Sequence, residues 1–131
     1  MYYKNRYRSL ISVTVRKEKI QFSDKTIRTV GTPTYILVYT SKENKQLFIK
    51  ACTQEENNKI QIRNYGTGGY VIANVRLAKH LMEISGVNEP KKYLGKYIPE
   101  YEGIMFDLAN PKKIGYGKRT GFSYWNIRDW S

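Results

Sequence analysis

Lys19-Ile-Gln-Phe-Ser-Asp-Lys-Thr-Ile-Arg-Thr-Val-Gly31 holds the end of a strand, the start of a helix and a helix stop within thirteen residues. Ile20-Gln-Phe22 alternates apolar and polar side chains, the period of a half-buried strand. Ser23 stands where an N-cap hydroxyl accepts from free amides. Asp24 complements the helix dipole, and Gly31 offers the left-handed stop. Upstream, Ile11-Ser-Val-Thr-Val15 also alternates, which predicts one buried apolar face and one polar outer face, with a hairpin turned at Arg16–Lys19. Downstream, Pro33 ends the helix, and Tyr35-Ile-Leu-Val-Tyr39 and Gln46-Leu-Phe-Ile-Lys50 read as strands around Ser41-Lys-Glu-Asn-Lys45.

After the polar, acidic linker 53–58 the same order returns. Lys59-Ile-Gln-Ile-Arg63 and Tyr70-Val-Ile72 flank the turn Asn64-Tyr-Gly-Thr-Gly-Gly69, and a helix is predicted from about Asn74 to Ser85 with its stop at Gly86. Ala73, Leu77, Leu81 and Ile84 form its expected buried stripe, opposite Arg76, Lys79, His80 and Glu83. Lys92-Tyr-Leu-Gly-Lys-Tyr-Ile98 and Gly103-Ile-Met-Phe-Asp-Leu108 then read as strands around Pro99–Glu102. Lys19-Ile-Gln-Phe-Ser aligns with Gly69-Tyr-Val-Ile-Ala. The expected fold is therefore mainly β with two short helices (α+β): two strand-strand-helix-strand-strand repeats, 10–52 and 59–108, interlocked about a pseudo-two-fold axis into one small barrel. A basic aromatic arm, 1–9, precedes this domain, and a basic aromatic tail, 109–131, follows it.

The 131 residues suffice for one domain, and although 40% are hydrophobic, 12 of these are tyrosines, so the core is modest. Lys and Arg number 23 against 11 Asp and Glu, a net charge of +12. With a pI near 9.8, this points to a polyanionic partner, nucleic acid first, and excludes an acidic mimic of DNA. The single Cys52 closes no intramolecular bridge, and the first residues lack the apolar run of a signal peptide, so a reducing cytoplasm is expected. No stretch approaches the roughly 18 apolar residues of a membrane-spanning helix, and no membrane partner is expected.

The element order and the string Lys19–Gly31 resemble the AbrB/MazE/SpoVT swapped-hairpin family, well over 10–52 and loosely over 59–108. In that family two chains interlock and bind DNA, so the resemblance implies a DNA-binding barrel with both halves on one chain. It also implies that Lys19, at the start of the second strand, Arg28, on the short helix, and Arg16, in the hairpin, contact DNA. Ser23 stands where the family usually has Pro, Ile27 where it has a basic neighbour of Arg28, and Ala78 at the second-half equivalent of Arg28. The layout is also similar to small uncharacterised proteins of phages and mobile elements of Gram-positive bacteria.

Arg16, Lys17, Lys19, Lys25 and Arg28, interrupted only by Glu18 and Asp24, form the first expected nucleic-acid-binding cluster. The second is Lys118, Arg119 and Trp125 in the tail, where cations hold phosphates while aromatic faces stack on unpaired bases. The glycine turn 64–69 offers amides to phosphate but lacks the Lys-Ser/Thr of a P-loop. Catalysis has poor material. His80 with Glu83 at i+3 reads as an exposed helix pair and Cys52 as a small core residue, while Glu100, Glu102 and Asp107 form no clear metal set. The reading is a non-enzymatic nucleic-acid-binding protein without metal or cofactor, a DNA-binding regulator of a phage or mobile element. The alternatives are an inhibitor of a host defence nuclease or its guide-RNA complex, and an antitoxin.

Overall fold

Alternating side chains along the chain are realised as nine strands, all antiparallel, in a computed structural model that describes residues 10–66 and 69–114. In chain order the elements are β1 (Ser12–Val15), β2 (Ile20–Phe22), α1 (Asp24–Thr29), β3 (Tyr35–Ser41), β4 (Gln46–Cys52), β5 (Ile60–Gln61) and β6 (Arg63–Asn64), then β7 (Tyr70–Ile72), α2 (Val75–Ser85), β8 (Lys91–Ile98) and β9 (Gly103–Asp107). A 3-10 turn at Pro99–Tyr101 links the last two strands. The neighbour order β5-β3-β4-β9-β8-β1-β2-β7-β6 describes a nearly closed, barrel-like sheet.

Its two edges, β5 and β6, are consecutive in the chain with Ile62 alone between them. The backbone thus leaves one edge and enters the other, and Ile62 is buried while its N–H donates to Thr34 O at 2.9 Å. Opposite this corner, β8 serves both sides of the barrel. Lys91–Leu94 pairs with β1, and Gly95–Ile98 pairs with β9. Where β8 changes partner, Gly95 N donates to Ile11 O at 3.0 Å. A Cβ there would lie 2.6 Å from Phe106 Cδ1 and 2.8 Å from Met105 O, so the corner admits glycine alone. Phe106 fills the space and meets Phe22 from the facing wall, ring centroids 6.2 Å apart, which joins the two walls across one core.

The helices cap as their sequences direct. Ser23 accepts from Thr26 N, Asn74 accepts from Leu77 N, and Gly86 takes the left-handed position after α2. Ala78, Leu81 and Ile84 face the core. Ala73, expected in that stripe, is exposed, because the helix starts only after Asn74 and the buried face is set from Ala78 onward; Leu77 lies at its margin, half-buried. Strand β1 also departs from expectation, since all four of its residues are buried. Thr26 on α1 accepts from Ser12 N at 2.9 Å and donates to Ser12 O at 3.0 Å, and the Lys92 ammonium donates to Thr14 Oγ1 at 3.1 Å. The polar face of β1 is therefore covered by α1 and by a lysine stem instead of water.

Replacing Gly95 with alanine is expected to lower unfolding free energy by about 1–3 kcal/mol, the usual range for overpacking. Equilibrium denaturation measures it, and an unchanged midpoint would show that β8 does not need the glycine to turn the corner.

Candidate nucleic-acid interface

Pairing of Val15 with Ile20 fixes the β1–β2 turn, and Arg16 N donates to Lys19 O at 2.9 Å across it. Lys17 and Lys19 are exposed at the tip, whereas Arg16 is half-buried and its Nε donates to Gln21 Oε1 at 3.2 Å. The start of β8 lies beside this turn, with Lys91 opposite Val15 and Lys92 opposite Thr14. The chain after β9 then returns. Lys112 pairs with Lys92 through Lys92 N to Lys112 O at 3.0 Å and Lys112 N to Lys92 O at 2.7 Å. Two Pro-Lys-Lys triplets, 90–92 and 111–113, are thereby brought to the same end of the barrel as the hairpin tip.

Residues directly opposed in antiparallel strands share a face. The pairs Lys112–Lys92, Lys92–Thr14, Thr14–Gln21, Gln21–Val71 and Val71–Arg63 make one row across the outer wall. At about 4.8 Å per strand step this row extends on the order of 20 Å, with exposed cations, Lys112 and Arg63, at its ends, the half-buried Gln21 between, and Thr14 and Val71 buried beneath their neighbours. Burial, then the charge of Arg16, pushes the Lys92 ammonium down to about 8. Lys91 pairs with Glu89 at 3.1 Å, but Glu89 is exposed and such a surface pair contributes little.

Arg16, Lys17 and Lys19 therefore gather with Lys92 and Lys112. Lys25 and Arg28 are exposed on α1, at the opposite end of β2, about 10 Å away along three strand residues. Lys118, Arg119 and Trp125 lie outside the described residues. Lys92 and Lys112 escaped the sequence reading because a lysine pair at a strand end looks like a solvated terminus; the repeated Pro-Lys-Lys was the available signal.

The groups weighed for chemistry are used otherwise. His80 Nε2 lies 3.2 Å from Thr40 Oγ1 on β3. Burial, helped by Glu56, pushes the Cys52 thiol up, away from the reactive thiolate. Asp107 accepts from Ala109 N and Asn110 Nδ2. Among the described residues no group of three His, Cys, Asp or Glu is placed to hold a metal. In the glycine turn, Tyr65 N and Gly69 N donate to backbone carbonyls and Gly66 N to Asn64 Oδ1, so these three amides are already spent internally. No family model, curated protein or solved structure matches the chain.

Below about pH 8, Lys92 is charged in both the folded and the unfolded chain, so the cost of burying its charge is fully present. Between about 8 and the ordinary 10.5 the folded chain releases the proton first, and this site's contribution to stability rises with pH. Lys92→Met, which keeps the stem and removes the charge, is expected to melt higher than wild type at pH 7, with the gap closing as pH climbs through that window. A gap independent of pH would contradict the burial of a charged ammonium.

Proposed function

We propose that the chain is a non-enzymatic nucleic-acid-binding protein, a DNA-binding regulator of a phage or mobile element, built as an internally duplicated swapped-hairpin barrel. The observation that carries the reading is the basic end of the barrel, where Arg16, Lys92 and Lys112 converge on one outer face. Cations crowded in this way repel one another, and a row of phosphates relieves that repulsion while releasing counterions. Gln21, half-buried in the same row, adds a polar side chain suited to phosphate or sugar oxygens.

The duplication is supported by the pairing map. Exchanging β1 with β5–β6, β2 with β7, β3 with β8 and β4 with β9 leaves the neighbour order unchanged. The halves are not equivalent in charge, however. Gly69 stands where the first half has Lys19, and Ala78, the counterpart of Arg28, is buried in the core. Binding through one face is the expected consequence, rather than the symmetric reading of two half-sites.

Fluorescence anisotropy with a labelled duplex over a salt series tests this. Each phosphate neutralised contributes about −0.9 to the slope of log K against log salt, so contacts from Arg16, Lys19, Lys92 and Lys112 are expected to give roughly −3.6. Alanine at any one of them is expected to flatten the slope by about one and to weaken binding to all sequences alike. No binding at low salt would overturn the proposal.

A further inference from the structure

Strand β4 buries Leu47 and Ile49, so by alternation Gln46, Phe48 and Lys50 face outward, away from the core. An aromatic ring in the middle of an outer face is out of place on a water-facing wall, and here it does not stand alone. Phe48 is directly opposite Tyr39 on β3, ring centroids 6.0 Å apart, and Tyr101 of the 3-10 turn meets it edge-on at 6.1 Å. Tyr39 is 53% and Tyr101 63% exposed. The Phe48 ring lies over Gly103 in the space a Cβ would occupy, so the next strand is shaped to seat it. The result is a groove of about 410 Å³, in which Thr40, Ser41 and Gln46 supply polar edges.

The charge of the groove points to its occupant. Lys50 is the charged residue of its lining, and Lys96 is opposite Met105 at the far side of the same row. Tyrosine faces with ammonium groups on two sides match unpaired bases on a phosphate backbone: rings stack on any base, and lysines hold the flanking phosphates. An aliphatic groove would instead suit an apolar helix, and the net charge of +12 favours a polyanion throughout. We propose that this groove is a binding site for single-stranded nucleic acid, with bases stacked on Tyr39 and Tyr101. It is built on β3, β4 and β9, away from the basic row on β8, β1, β2 and β7. The inference rests on the nucleic-acid reading above but assigns a second surface with a different preference.

The test uses the full chain with a labelled twelve-residue oligothymidine and, separately, the duplex. Tyr39→Ala and Tyr101→Ala are each expected to weaken oligothymidine binding about tenfold or more, as loss of one stacked base does. Duplex affinity stays at the wild-type value, and Tyr39→Phe, which keeps the ring, retains single-strand binding. Circular dichroism melts confirm folding of each variant. Unchanged oligothymidine affinity in both alanine variants overturns the inference, as does an equal loss on both probes. Perturbation of the Tyr39 and Phe48 amides by a proline-rich peptide but not by oligothymidine also overturns it, in favour of peptide docking. A wild-type chain that binds duplex but no single strand defeats this inference alone. One that binds neither defeats the proposed function as well.

Discussion

Two stretches of backbone that each serve both walls of the barrel constrain everything else. Strand β8 leaves β1 for β9 at Gly95, and the chain passes from β5 to β6 through the buried Ile62. Because these corners are made by continuous backbone, the walls cannot slide independently. A slip of one residue in either wall would turn Tyr93, Ile104 or Ile49 out of the core. The aromatic contact between Phe22 and Phe106 then locks the walls at the distance their side chains allow.

This constraint also fixes the two outer surfaces. The register that buries Val13 and Val15 places Gln21, Lys92 and Arg63 in one outward row, with Thr14 covered beneath the Lys92 stem, and the register that buries Leu47 and Ile49 places Tyr39, Phe48 and Met105 in another. One surface is basic and hydrogen-bonding, the other aromatic with lysines at its margins. Neither depends on the helices for its geometry, although α1, tied to β1 through Thr26, covers part of the wall beside the basic row.

How much of this was legible in the sequence follows from how local each cause is. The hairpins and the signals Ser23, Gly31 and Gly86 were legible, because period-two alternation and those caps act within a few residues. The polar face of β1 was not, since Ser12 and Thr14 look solvent-facing until α1 and Lys92 cover them. Ala73, expected in the buried stripe of α2, precedes the Asn74 cap and is exposed, and the core-facing side chains begin at Ala78. Phe48 was read as part of an apolar strand, because Leu47-Phe-Ile49 gives no sign of which side faces water until β9 and Gly103 are in place. Lys92 and Lys112, 20 residues apart, meet only because the chain returns after β9, a pairing invisible to any short window.

Mapping backbone amide shifts of the full chain during titration with duplex DNA tests the basic row most directly. The expected perturbations fall together on 14–21, on Arg63, on Lys91 and Lys92 and on Lys112, and diminish as salt is added. Perturbations confined to α1 or to the aromatic groove, with the row silent, would contradict the assignment of that face as the nucleic-acid interface.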